Sequence, residues 1–235
     1  MGLAGGSVSV PRSPTPPWSR SCSAYLPDTV ANHTVRLTST DPTSAGRLLA
    51  YLTELPQTLE RFDVLPLDGF AFACTGSSYL AGAEVENEIV ETIAGDRGYR
   101  VLSATAAIRE ELERLGARSI AILAPYPDEL AEAGRAYWIR AGFEVAELRQ
   151  IDTGSPDTRA IYALSSSDAM AALESLHREQ PDLGVDAYLF SGTGMQTLPI
   201  LDRARALTGR PVLSSNYCLA LACAHHLGHT ISPPG

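Results

Sequence analysis

The sequence predicts an α/β protein made of two pseudo-symmetric halves, each a mostly parallel sheet flanked by helices, with a ligand-binding cleft between them. Two observations lead to this prediction. Short β-rich runs alternate with segments whose apolar residues recur at helical spacing, and such alternation is typical of parallel sheets covered by helices. In addition, one strand-and-turn pattern occurs twice in the chain, which indicates an internal duplication.

The predicted strands are short runs of β-branched, aromatic or aliphatic residues bounded by turn-forming residues. They are Ser7–Pro11, Ala31–Leu37, Gly69–Ala73, Arg100–Leu102, Ser119–Ala124, Phe143–Gln150, Ala187–Phe190 and Pro211–Leu213.

The predicted helices have apolar residues three and four positions apart along one face. They are Ser44–Phe62, Tyr79–Ile93, Thr105–Leu115, Asp128–Ala141, Ser166–Glu179, Thr197–Leu207 and the apolar segment Cys218–Cys223. Pro14, Pro16 and Pro17 predict a loop near the start, and we expect a frayed tail after Leu227.

The internal repeat consists of two matches in the same order. Asp68–Gly76 matches Asp186–Gly194, and Arg100–Thr105 matches Pro211–Asn216. The first half is therefore expected at residues 1–103 together with 213–235, and the second at residues 104–212.

Composition excludes several classes of protein. The 235-residue chain has a net charge of −9, which disfavours a nucleic-acid partner because phosphate backbones are repelled. No apolar run is long enough for a membrane span, and the N-terminus lacks the pattern of a secretion signal. We therefore expect a cytoplasmic protein with reduced cysteines. The sequence has no metal-ligand spacing and no glycine-rich nucleotide motif, so neither a metal nor a cofactor is expected.

Two turns follow predicted strands and are candidates for a ligand site. The first turn is Cys74–Ser77 and the second turn is Gly192–Gly194. Ligands of open α/β sheets bind beyond the carboxyl ends of strands, and hydroxyls with backbone N–H groups at such ends suit a carboxylate or a phosphate. The candidate binding residues are Thr75, Gly76 and Ser77 on the first turn and Gly192, Thr193 and Gly194 on the second. The alternative is that both turns are loops with ordinary helix caps.

Cys74 is the candidate catalytic residue because it precedes a helix at the end of a strand. A thiol in that position is expected to have a lowered pKa and to serve as a nucleophile or a proton donor. The alternative is a buried structural cysteine, which is our interpretation of Cys22, Cys218 and Cys223. Tyr126 lies between two prolines after another strand, where its hydroxyl either completes the anion site or packs on the surface.

These segments resemble a known group of enzymes. Phe72–Ser78 resembles the A-C-T-S-G-S turn of maleate cis-trans isomerases. Ser191–Leu198 followed by Gly209–Asn216 resembles the S-C-T-x-x-x-T-L and G-x-P-V-x-S-S-N motifs of the same family. Val10–Ser13 is similar to the V-P loop after the first strand, which makes Pro11 a further candidate binding residue. The chain therefore resembles the aspartate/glutamate racemase superfamily, to which arylmalonate decarboxylase also belongs.

The resemblance implies an active site in the cleft between the halves and cofactor-independent carbanion chemistry on a small carboxylic acid. Racemases use two facing cysteines, maleate isomerases use the first as the nucleophile, and arylmalonate decarboxylase has only the second. Here the first cysteine is present as Cys74 and the second is replaced by Gly192. The isomerases also have an asparagine in the loop where this chain continues Pro11-Arg12-Ser13.

Three hypotheses follow from this pattern. The first is a decarboxylase of a substituted malonic or related dicarboxylic acid with Cys74 as the proton donor, since decarboxylation needs only one donor. The second is a maleate-like cis-trans isomerase with Cys74 as the nucleophile, and the third is a carboxylate-binding protein without turnover. The substrate side chain, the oligomeric state and the roles of Arg12, Arg159 and Cys218 are not determined by the sequence.

Overall fold

A computed structural model describes residues 17–230 of the chain. The predicted strand Ser7–Pro11 and the residues Pro11 and Arg12 lie outside the described residues. The α-helices are α1 Pro17–Tyr25, α2 Ser44–Thr53, α3 Leu55–Leu59, α4 Thr75–Ala81, α5 Ala83–Arg97, α6 Ala104–Arg114, α7 Asp128–Arg140, α8 Ser166–Glu179, α9 Leu201–Thr208 and α10 Ser215–His226. Short 3₁₀ helices are formed by Glu60–Phe62, Thr158–Ala163 and Leu198–Ile200.

The strands form two sheets in which every pairing is parallel. The strands are β1 Gly69–Phe72, β2 Arg100–Ser103, β3 Ser119–Ala124, β4 Glu144–Gln150, β5 Ala187–Phe190 and β6 Val212–Ser214. β1 pairs with β2, and the larger sheet has the order β4-β3-β5-β6. β3 and β5 lie inside that sheet and are almost wholly buried, which explains why their sequences are continuous apolar runs rather than alternating ones.

The two sheets repeat one local arrangement, as the internal repeat predicts. Phe72 pairs with Ser103 in the small sheet, and Phe190 pairs with Ser214 in the large one. Each serine then caps the helix that follows its strand, because its hydroxyl accepts a hydrogen bond from the backbone N–H three residues later. The two capped helices, α6 and α10, pack against each other.

Several predicted elements match the structure closely, and others are wrong for identifiable reasons. The predicted helix Ser44–Phe62 breaks after Thr53, because Pro56 has no N–H to continue the backbone ladder. The predicted helix Tyr79–Ile93 is two helices separated by Gly82, whose φ of 85° interrupts the helical backbone. The first of them begins at Thr75, inside the first turn.

Two further predictions near the N-terminus and the second turn are also wrong. Ala31–Leu37 is not a strand; its backbone has no regular structure and finds no pairing partner among the described residues. The proline-rich loop ends earlier than expected, since α1 begins at Pro17, a position where proline is well tolerated. After the second turn the chain forms the 3₁₀ helix Leu198–Ile200 before α9, so no helix begins at the second turn itself.

Candidate active site

A cavity of about 960 Å³ opens where the chain leaves the carboxyl ends of β1, β3 and β5. The cavity lining contains Cys74, Thr75, Gly76, Tyr126, Thr193 and Gly194, which are the predicted site residues of the described chain apart from Ser77 and Gly192. Cys218 is buried elsewhere on α10 and does not line the cavity. Parallel strands therefore bring the two turns and the Tyr126 loop to one edge of the fold.

Cys74 is the N-cap residue of α4, and its thiol is surrounded by hydrogen-bond donors. The Ser77 hydroxyl donates to Cys74 Sγ over 3.0 Å, and the backbone N–H groups of Ser77 and Gly76 also point at the sulfur. Burial nevertheless raises the pKa of the thiol above its ordinary 9.0, because desolvation outweighs these three donors and nearby Glu86 adds to the shift. The expected lowering of the pKa is therefore wrong, and Cys74 is a protonated thiol at neutral pH.

Ser77 has a different position from the one predicted. Its side chain is fully buried, does not line the cavity and contacts the thiol instead of facing a ligand. The three donors around Cys74 Sγ favour the thiolate once a proton has left. The first turn thus surrounds the Cys74 sulfur with three hydrogen-bond donors.

The Tyr126 hydroxyl lies in the cavity and not on the surface. It shares a hydrogen bond of 2.7 Å with the Thr75 hydroxyl, and burial raises the pKa of Tyr126 well above its ordinary 10.0. Both hydroxyls are therefore neutral. One of them donates to the other in this bond, which leaves the second hydroxyl proton for an anion. Behind them, the Tyr79 hydroxyl shares a hydrogen bond of 2.7 Å with Ser191 and accepts one of 2.9 Å from the Trp138 indole, which fixes the start of the second turn.

Polar side chains hold the second turn in place, and one of them, Asn216, is not among the predicted site residues. The Thr193 hydroxyl donates to the Ala73 carbonyl over 2.7 Å, so it joins the two turns. Asn216 donates from its side-chain amide to the carbonyls of Thr193 and Met195, each over 3.1 Å. The backbone N–H groups of Thr193 and Gly194 make no hydrogen bond within residues 17–230, and both residues line the cavity. These two groups are free to bind an anion.

Gly192 occupies a backbone conformation that only glycine adopts readily. Its φ is 131°, and a Cβ at this position would lie 2.9 Å from Ile161 Cδ1 and 3.3 Å from the Tyr126 hydroxyl. The Ile161 side chain therefore fills the space that a side chain on residue 192 would enter. Ile161 is not among the residues predicted from the sequence. It lies 31 positions before Gly192 in the chain, and no local sequence pattern indicates that the two residues are in contact.

A buried carboxylate lies beneath the first turn. Glu86 is 1% exposed and accepts hydrogen bonds from Ser78 (2.6 Å) and from Thr105 (2.7 and 2.9 Å). Tyr137 adds a longer bond of 3.3 Å. The hydroxyls satisfy the carboxylate without a cation, and the Ser78 bond anchors α4, which carries Cys74 at its N-terminus.

The remaining cavity wall contains residues outside the predicted set. Cys22 and Cys223 line it where α1 and α10 pack together, and burial raises the pKa of each thiol to about 12. Arg36 and Arg159 line it as well. Within residues 17–230 no cluster of metal-ligating side chains occurs, and no helix in that range is long and apolar enough to cross a membrane.

Comparisons with known proteins agree with this architecture. A curated maleate isomerase of Pseudomonas putida is 31% identical over 116 residues, which are 49% of this chain and 44% of the relative, so the match spans less than half of the relative's length. The crystal structure of a maleate isomerase variant from Pseudomonas putida S16 with maleate superimposes with a TM-score of 0.76 at 19% identity and covers 89% of this chain and 84% of that chain. The predicted α/β fold is thereby confirmed.

A second solved structure is more similar in sequence. The maleate cis-trans isomerase of Nocardia farcinica, in a cysteine-to-serine variant with a covalently bound succinylcysteine intermediate, is 27% identical with a TM-score of 0.69. The alignment covers 84% of this chain and 79% of that chain. The profile of the arylmalonate decarboxylase family matches residues 61–235, which is most of the sequence, and the chain therefore belongs to the arylmalonate decarboxylase family.

Proposed function

We propose that this protein is a cofactor-independent decarboxylase of a substituted malonic or related dicarboxylic acid, with Cys74 as the proton donor. The observation that carries the proposal is the asymmetry of the two turns. The first turn presents a protonated thiol surrounded by donors, whereas the second presents Gly192 against Ile161. Decarboxylation needs one proton donor, while two-base racemisation needs an acid and a base on opposite faces of the substrate.

One carboxylate of the substrate binds to a carboxylate cradle, which we define as the hydroxyls of Thr75 and Tyr126 and the N–H groups of Thr193 and Gly194. These groups come from three segments of the chain. The bond between Thr75 and Tyr126 uses one of the two hydroxyl protons and leaves the other for the carboxylate, and the bond between Thr193 and Ala73 fixes the second turn. As the other carboxylate leaves, negative charge develops on the bound carboxylate. Donors already in place lower the energy of that enediolate without reorganisation.

The reaction balances with one proton. The bond between the α-carbon and the leaving carboxylate breaks, carbon dioxide departs, and the electron pair remains as the enediolate. Cys74 transfers its thiol proton to the α-carbon, and solvent then protonates the thiolate. The Ser77 hydroxyl and the N–H groups of Gly76 and Ser77 stabilise that thiolate during its lifetime.

The experiment is a carbon dioxide assay over a panel of substituted malonates, with Cys74→Ala as the test variant. Loss of the proton donor should lower turnover by at least ~10²-fold. Cys218→Ala is the matched control, since that thiol is buried outside the cavity. Carbon dioxide release at a similar rate from the Cys74 variant would contradict the proposal.

A second candidate function is cis-trans isomerisation of a maleate-like diacid. It is favoured by the 27% identical isomerase that carries a succinylcysteine and by the 31% identical maleate isomerase. In that reaction the Cys74 thiolate would add to the alkene and be released after rotation about the resulting single bond. A mass increase on Cys74 equal to that of maleic acid, without carbon dioxide release from malonates, would favour isomerisation over decarboxylation.

A further inference from the structure

The cavity lining carries a positive charge that the proposed reaction does not use. Arg36 lies in the irregular segment 31–37, is exposed, and lines the cavity. Its guanidinium makes no hydrogen bond or ion pair with any residue in the described part of the chain. Arg159 differs, because its guanidinium is bound to the Asp157 carboxylate through two nitrogens.

Two phenols line the same cavity as this arginine and the thiol of Cys74. Tyr51 comes from α2, and Tyr162 comes from the 3₁₀ helix Thr158–Ala163; both line the cavity. Burial raises the pKa of both phenols, and the Arg36 guanidinium opposes that rise. Three separate segments thus contribute one guanidinium and two hydroxyls to the lining of one cavity.

Arg36 differs from the other arginine of the cavity lining in having no carboxylate partner within residues 17–230. Arg159 is neutralised by its ion pair with Asp157, and Asp68 is the carboxylate in the lining. An unpaired guanidinium attracts an anionic group. The carboxylate cradle accounts for one end of an anionic ligand, but it does not account for this guanidinium.

We propose that Arg36, together with Tyr51 and Tyr162, forms a subsite for a second acidic group on the substituent of the substrate. The proposal rests on the proposed function for its substrate class and narrows that class to acids with a distal carboxylate. A planar guanidinium suits a carboxylate because its N–H groups match both oxygens, and the phenols donate to the same group. Arg159 is not available for this role, since Asp157 already occupies its guanidinium.

The test compares two substrates that differ only in the distal acid: phenylmalonate and 4-carboxyphenylmalonate. Arg36→Met should lower kcat/KM for the carboxylated substrate by roughly 10- to 100-fold, the range for a hydrogen bond to a charged group. The same variant should change kcat/KM for phenylmalonate less than about threefold, because only the distal contact is lost. Arg36→Lys should recover part of the loss. Arg135→Met is the matched control, since Arg135 is exposed on α7 and lies outside the cavity lining.

Binding of unreactive ligands separates this proposal from the proposed function. Calorimetry with phenylacetate and 4-carboxyphenylacetate needs no turnover. If only the second ligand loses affinity in Arg36→Met, the subsite stands even where no malonate is decarboxylated. Equal losses of affinity for both ligands would overturn the proposal of a subsite. So would a native protein that binds both ligands with the same affinity.

Discussion

Replacement of Gly192 by cysteine tests the interpretation that Ile161 fills the space which a side chain on the second turn would enter. A side chain at a φ of 131° costs roughly 1–3 kcal/mol of backbone strain. Its Cβ also meets Ile161 Cδ1 at 2.9 Å, and overpacking of this kind costs roughly another 1–3 kcal/mol. We therefore expect Gly192→Cys to reduce the free energy of unfolding by roughly 2–6 kcal/mol.

The two contributions can be separated by shortening the neighbour. Ile161→Val removes the Cδ1 atom and by itself costs roughly 0.5–1.5 kcal/mol. In the double variant the steric part disappears and the backbone part remains, so the two substitutions should couple favourably by the steric part, about 1–3 kcal/mol. Urea unfolding of the four proteins, monitored by circular dichroism, measures this coupling.

Gly95→Ala is the matched control for this cycle. Gly95 lies in α5 with ordinary helical φ and nothing within 4 Å of an added Cβ, so we expect no loss of stability. If Gly192→Cys is as stable as the native protein, or if Ile161→Val leaves its cost unchanged, the steric account of the second turn is wrong. Where the double variant folds, its second thiol should make the product of a prochiral malonate less enantiopure.

Three further predictions concern the hydroxyl pair, a buried ion pair and the thiol. Tyr126→Phe removes a donor to the bound carboxylate and should lower kcat/KM by roughly 10- to 150-fold with little change in unfolding; unchanged kinetics would place the carboxylate elsewhere. Asp157→Asn removes the anionic partner of Arg47, whose guanidinium is buried and 2.9 Å away. Because the Asp157 side chain is 35% exposed and solvent screens the pair, the loss of stability should be about 1 kcal/mol or less. Arg159 and Arg47 hold the pKa of Asp157 well below its ordinary value of 3.8. The Asp157 carboxylate therefore stabilises the fold fully above pH 3.8. The difference in unfolding free energy between the native protein and the variant should disappear as the pH falls through the lowered pKa. Because burial raises the pKa of Cys74, a reaction that needs its proton should be flat with pH near neutrality and slow only in alkaline solution; a rate that rises with pH would indicate attack by the thiolate.

The sequence predicted those features of the fold that depend on local patterns. β3 and β5 were located to the residue because continuous apolar runs distinguish buried parallel strands. The predicted strand Ala31–Leu37 is wrong, because a β-rich composition does not show whether a neighbouring strand is available for pairing. Pro56 and Gly82 divide two predicted helices, because the apolar periodicity around them continues although the backbone at these residues cannot.

The candidate site was predictable where it follows the turns and not where it depends on contacts between distant segments. The sequence predicts that Cys74, Thr75 and Tyr126 lie near one another, and all three line one cavity because each follows the carboxyl end of a parallel strand. The pKa direction of Cys74 was wrong, because the position before a helix predicts the donors but not the burial that outweighs them. Ile161 reaches Gly192 through the tertiary fold alone.

The measurement that tests the central claim most directly is the stereochemistry of decarboxylation of one prochiral aryl-methylmalonate. If Cys74 alone delivers the proton, the product is a single enantiomer. Its handedness should be opposite to that of arylmalonate decarboxylases whose thiol lies in the second turn, provided that the carboxylate cradle keeps its orientation. Chiral chromatography of the product from the native protein gives the answer. A racemic product, or the same handedness as a second-turn enzyme, would contradict protonation from the first turn.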